Sequence, residues 1–297
     1  MFYLEKRQTV ISKKERDANS PFFLNGGRAM VSLGPLSQKR HCPYHCAFCY
    51  VQDDFSSYVK LDIDEIVEFL IKNRDKYNII YVSGDTDSFA PPRTQQGIKL
   101  LRSIVNAVSC DITFTTRSVF TEEEYKQLAE IIQNHKKTGY KFIAGSSITR
   151  YSEKSAYLEP APIPSPDERI AHIKRMKKIG AITMLGLRPF LPVVDINDYY
   201  TILDKVYPHL DIALGECFYF IRNGNIQQRV FPNGLSKEYE KNITHNHKMD
   251  FDDNDSLWEI WDSEEYENKV AAYCKKLGII FSMHSEQALK EYDNICR

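Results

Sequence analysis

Apolar positions along this chain fall into two alternating rhythms: short β-branched runs, and longer stretches at helical spacing. The runs "AMVSLGPL" (29–36), "NIIYVSG" (78–84), "DITFTT" (111–116), "KFIAGSSI" (141–148), "AITMLGLRPF" (181–190), "LDIALGECFYFI" (210–221) and "IIFSMH" (279–284) predict strands. Between them, residues 62–73, 94–108, 121–135, 165–180, 197–207 and 263–278 predict helices. Each helix has a local reason to start or stop. Asp62 is a plausible cap, and the helix from Thr121 has acidic residues in its first turn. In "SPDERIAHIKRMKKIG", Ser165 and Glu168 form a capping box, Pro166 suits the first turn, and Gly180 ends the helix.

Strands alternating with helices at this scale build a parallel sheet from βαβ units. The predicted class is α/β, a partial (β/α)6 TIM-like barrel, open rather than closed. Barrel chemistry sits at the C-terminal strand ends. That rule selects Ser83–Asp87, Thr115–Arg117, Ser146–Thr149, Gly186–Pro189, Glu216–Cys217 and Ser282–His284. Four segments follow: an N-terminal extension (1–28), a barrel core (29–221), an insertion (222–262), and a last helix and strand that close the barrel (263–297). In the insertion, "RNGN" reads as a hairpin turn with Gly224 at positive φ. The insertion is either a lid over the substrate or a solvated excursion.

Composition narrows the class. The chain has 297 residues, 42% hydrophobic and 27% charged, with a formal charge of −1. That is an ordinary globular balance, and it argues against gripping duplex DNA by bulk charge. No secretory leader is visible, and no apolar run reaches the roughly 18 residues that span a bilayer. A cytoplasmic location is therefore expected, where thiols stay reduced.

In that setting "HCPYHCAFCY" (41–50) stands out. Three of the seven cysteines, Cys42, Cys46 and Cys49, share one C-x3-C-x2-C loop. A structural zinc site wants four ligands, usually as two pairs, and an ordinary ferredoxin cluster wants four cysteines. His41, His45, His245 and His247 are the only nearby or paired candidates for a fourth. Three thiolates suit a [4Fe–4S] cluster with one iron left open to a small chelating molecule.

The loop resembles that of the radical S-adenosylmethionine (SAM) enzymes, with an aromatic, Phe48, just before the third cysteine. "SGDTDSFAPPRTQQ" is similar to the T-D-x-[FY]-x-P variant of the spore photoproduct lyase-like subgroup. "ITFTTRS" resembles its I-x-T-K-S strand, with Arg117 in place of lysine. "SSITRYSEKSAYLEPAPIPSPDERIAHIKRMKKIGA" and "LRPFLPVVDIND" resemble two further stretches, so the likeness covers about residues 30–200.

The resemblance implies that Cys42, Cys46 and Cys49 hold a [4Fe–4S] cluster. SAM, bound to the open iron, would be cleaved by an electron to a 5′-deoxyadenosyl radical that takes hydrogen from a substrate. It implies SAM contacts from Tyr50, Ser83, Gly84, Asp85, Thr86, Thr115, Arg117, Ser146, Glu159 and Arg188. Plain packing is the other reading of Tyr50, an ion pair that of Arg117 and Arg188, and a loop anchor that of Glu159. Cys217 is a candidate hydrogen donor or an inert buried thiol. A reductant such as flavodoxin or ferredoxin is the implied partner. The substrate stays open between a nucleotide, a peptide and another small molecule. Two other readings remain: a non-catalytic zinc or iron–sulfur module, and a DNA repair lyase.

Overall fold

The structure is a computed structural model that describes residues 2–5, 24–25, 27–33, 42–50, 58–84, 86–248 and 256–295. Its main sheet has ten strands. They are β1 (Phe2–Glu5), β2 (Leu24–Asn25), β3 (Arg28–Leu33), β4 (Tyr58–Leu61), β5 (Ile79–Val82), β6 (Asp111–Thr116), β7 (Phe142–Ser147), β8 (Ile182–Gly186), β9 (Ile212–Leu214) and β13 (Ile280–Ser282). Seven of these, β3, β5 to β9 and β13, are parallel and run in chain order across the sheet. The expected α/β class holds, with seven parallel strands. From the N-terminal segment, β1 pairs antiparallel with β3 and β4 at one edge.

Five helices return the chain between strands: α1 (Ile63–Lys72), α2 (Thr94–Ala107), α3 (Glu122–Lys136), α4 (Pro166–Lys178) and α5 (Ile196–Val206). Capping boxes at Asp62, Thr121 and Ser165 start three of them, each worth about 1 kcal/mol. Period-2 alternation then sorts the strand residues onto two faces. Ile80, Val82, Ile112, Phe114, Phe142 and Ala144 pack with Ile66, Leu101, Ile104, Leu128 and Ile132 under the helices. Tyr81, Ile143, Met184, Ile212 and Leu214 lie on the opposite, inner face.

The inner face is covered by α9 (Ser285–Ile295), which sequence reading leaves out. Its Ala288, Leu289 and Tyr292 join the inner cluster. Lys141, at the foot of β7, ties Asp111 of β6 (3.0 Å) to Asp293 of α9 (2.8 Å). At its other end Arg28 Nη1 of β3 donates to Ser285 Oγ at 2.8 Å. One helix thus bridges the first and later strands of an open sheet.

Two expectations are corrected. The run 210–221 is not one strand: β9 stops at Leu214, and β10 (Phe218–Phe220) joins a second sheet. That antiparallel sheet pairs β10 with β12 (Leu257–Trp261), and β12 with β11 (Ile243–Lys248). "RNGN" is also not a hairpin. Asn223 takes the left-handed φ of +60°, which Asn tolerates. Gly224, at −80°, instead begins a helix, α6 (Asn225–Val230), followed by α7 (Lys237–Glu240). Phe218, Phe220, Phe231, Trp258 and Trp261 pack in the same cluster as Tyr44, Ala47 and Phe48, so this layer adjoins the cysteine loop. Finally α8 (Glu264–Leu277) ends on Gly278 at φ +71°, a left-handed cap.

Candidate functional site

The cysteine loop is held from several sides. Ala47 N donates to Leu158 O at 2.9 Å, and the hydroxyls of Tyr44 and Ser118 share a bond of 2.7 Å. From α6, more than 180 residues on, Arg229 Nε donates to Ala47 O (3.0 Å) and Nη2 to Cys49 O (3.2 Å). Asp87 N approaches Cys42 Sγ at 3.5 Å. None of Cys42, Cys46 and Cys49 is in a disulfide. Burial pushes the Cys42 thiol up to about 12 and Cys46 higher still. Iron must displace those protons, so loading the loop releases acid.

Beside the loop lies a cavity of about 160 Å³. Of the residues expected to bind cofactor, Tyr50, Gly84, Thr115, Arg117 and Arg188 line it, together with Cys46, Phe48 and Cys49. Cys217 lines it too. Sequence reading missed Tyr81, Phe218 and Tyr219 in the same wall. Tyr81 stands two positions before Ser83 on β5, and its hydroxyl lies 3.4 Å from Thr115 Oγ1. Strand alternation carried one step inward from the strand end finds it.

The other expected residues stand behind the wall. Ser83 is buried at φ +69°, where its Oγ accepts from Ser88 N at 2.9 Å. A non-glycine residue held there costs on the order of 1 kcal/mol, and such positions cluster at functional sites. Ser146 Oγ donates to Thr116 O at 2.6 Å, and Thr86 is buried. Asp85 and His41 lie outside the described residues. Asp87 clamps two strand ends, accepting from Thr116 Oγ1 (2.8 Å) and Arg117 N (2.7 Å).

Glu159 meets three arginines, Arg169, Arg117 and Arg150. Its carboxylate is buried and accepts from Arg169 Nη1 (3.0 Å) and Arg117 Nε (3.1 Å). Burial alone would raise its pKa, but Arg169 and then Arg117 outweigh it and hold the carboxyl at about 2. Arg117 also stacks over Phe48, 5.5 Å from its centroid, so the ion-pair network reaches the cysteine loop.

Arg188 is different. Its Nε and Nη2 are buried and have no hydrogen-bond partner. A buried guanidinium left in that state costs free energy, which an anionic ligand group in the cavity would recover. Two thiols of the three-cysteine loop, Cys46 and Cys49, and the Arg188 guanidinium on one cavity suit an iron–sulfur cluster next to an amino-acid carboxylate. The residues therefore fit a [4Fe–4S] cluster and SAM. Of the histidines open as further ligands, His245 and His247 have partners in the second sheet. His245 pairs with Glu259 and Arg222, His247 meets Thr244 Oγ1, and His45 is exposed. Among the described residues, no three His, Cys, Asp or Glu side chains converge on a single metal ion.

A parallel α/β sheet carries a three-cysteine loop beside a cavity at its C-terminal strand ends. The Radical SAM superfamily model matches residues 38–206, more than half of the chain, and this protein belongs to that superfamily. Its members are enzymes, and they generally use SAM with a [4Fe–4S] cluster. Among solved structures, a spore photoproduct lyase mutant with bound AdoMet and dinucleoside spore photoproduct is similar, with TM-score 0.60 and 15% identity. That match covers 82% of this chain and 74% of the lyase. SuiB of Streptococcus suis bound to precursor peptide SuiA is similar at TM-score 0.53 and 10% identity, over 86% of this chain and 49% of SuiB. The methyltransferase TsrM from Kitasatospora setae follows at TM-score 0.51 and 14% identity, over 84% and 51%. At these identities the likeness is one of fold. No curated protein matches the chain. No helix among the described residues is long and apolar enough to cross a membrane.

Proposed function

We propose that Cys42, Cys46 and Cys49 hold a [4Fe–4S] cluster, and that the adjoining cavity binds SAM. The carrying observation is that Cys46, Cys49 and the unpartnered guanidinium of Arg188 open on the same cavity. When bound, the cluster and SAM supply a 5′-deoxyadenosyl radical that removes hydrogen from a substrate.

The chain's part is to bind, orient and keep water away. Arg188 meets the carboxylate of SAM. Gly84, at the end of β5, offers backbone to its amino group, and Phe48 and Tyr50 offer apolar surface to its adenine. Glu159, through Arg117, fixes the wall without touching the ligand. Flavodoxin or ferredoxin is the proposed class of electron donor.

Cys217 is the proposed hydrogen donor to the substrate radical. Its thiol lines the cavity and accepts from Ser263 Oγ at 3.4 Å, and burial raises its pKa, so it stays a protonated S–H. In heavy water, product made by the native chain should carry deuterium from the exchanged thiol, and product from Cys217→Ala should not. Equal labelling removes the assignment.

SAM binding tests the reading itself. Arg188→Met should weaken SAM about tenfold or more, the loss expected for one charge-assisted bond. Cys46→Ala should abolish cluster assembly. Unchanged SAM affinity in Arg188→Met would move the ligand elsewhere.

A further inference from the structure

A second cavity, of about 600 Å³, lies between the ends of β9 and β13 and the first turns of α8. It shares Glu216, Cys217 and Tyr219 with the first, so the two are separated by one wall and Cys217 stands in it. Its size suits a small molecule.

The two cavities differ in charge. Glu216 lines both, and the first adds Arg117 and Arg188. The second has Glu216 from the β9 end and Glu267 from α8, and no lysine or arginine among the described residues that line it. The rest of the wall includes the aromatic rings of Tyr219 and Phe281 and the amides of Asn268 and Gln287. Carboxylates with aromatic faces recognise an ammonium group, by charge-assisted hydrogen bonds and cation–π attraction. The same wall repels a phosphate or carboxylate.

We propose that the second cavity is the substrate site, and that the substrate is a small molecule carrying an ammonium group. The ammonium sits between Glu216 and Glu267, and the rest of the molecule extends towards Cys217. This rests on the radical reading for what happens to the substrate. Its binding needs neither iron nor SAM and is tested apart from them.

The test uses the full chain without cluster at pH 8. Phenethylamine is titrated against phenethyl alcohol and phenylpropionate, which match its size. The amine should bind at least about tenfold more tightly than either, and Glu267→Gln should weaken the amine about fivefold while leaving the alcohol unchanged. Ala271→Trp, which fills the cavity from α8, should abolish amine binding. The proposal falls if phenylpropionate or the alcohol matches the amine, or if the amine fails to bind below about 10 mM. It also falls if Glu267→Gln changes nothing, or if the amine still binds Ala271→Trp. If binding succeeds and the reconstituted enzyme makes no 5′-deoxyadenosine, the radical reading fails and the ammonium site stands.

Discussion

At the scale of single residues, the most informative group is one with no chemistry of its own. Glu159 is buried among Arg169, Arg117 and, at 3.8 Å, Arg150. Its carboxyl is held at about 2 against an ordinary 4.5. Below 4.5 an unfolded chain takes up a proton that the native state refuses, so stability is lost as pH falls through 4.5 towards 2. His172, buried and held at about 4, adds a loss of the same sign between pH 6.5 and 4. Glu159→Gln should lower stability at pH 7 by about 3 kcal/mol or more, since it leaves buried arginines uncompensated. Thermal melts should show that deficit narrowing as pH falls towards 2. A constant deficit would mean that Glu159 is not ionised in the fold. The three-cysteine loop was legible because its spacing is local. The role of Glu159 was not, because its partners Arg117 and Arg169 meet it only through the folded strand ends.

At the scale of elements, hydrophobic period identified the alternating barrel strands and helices, and strand ends identified most of the cavity wall. It failed where local pattern and tertiary context disagree. "LDIALGECFYFI" is apolar enough for one strand, yet Gly215 and Glu216 break it and its two halves serve different sheets. α9 escaped notice because its apolar side is narrow and turns into the barrel, not onto another helix. In the insertion "RNGN" pointed to a hairpin, yet it leads into α6, which supplies Arg229 to the cysteine loop. Arg229→Met should raise amide exchange at Ala47 to Cys49 in the iron-free chain and speed iron loss to a chelator after loading. Arg229→Lys, which can keep one of the two bonds, should recover part of both. Exchange rates equal to the native chain would show that the loop is held without Arg229.

For the whole molecule, the seven parallel strands of an open sheet present one rim. The cysteine loop meets it on one side, and the insertion's small sheet covers it on another. Two cavities share Glu216, Cys217 and Tyr219 at that rim, one adding Arg117 and Arg188 and the other Glu267. The fold class and the superfamily were legible from sequence, because both are carried by repeating patterns and short motifs. The second cavity was not, because its wall is gathered from β9, β10, α8, β13 and α9, which lie far apart in the chain. The central claim is that this rim generates a radical from SAM. Anaerobic reconstitution with iron and sulfide, then dithionite and SAM, tests it most directly. A brown, oxygen-labile protein with about four irons per chain that releases 5′-deoxyadenosine, and a Cys46→Ala variant that does neither, is the predicted result. A colourless zinc protein, or a full cluster that leaves SAM intact under dithionite, would contradict it.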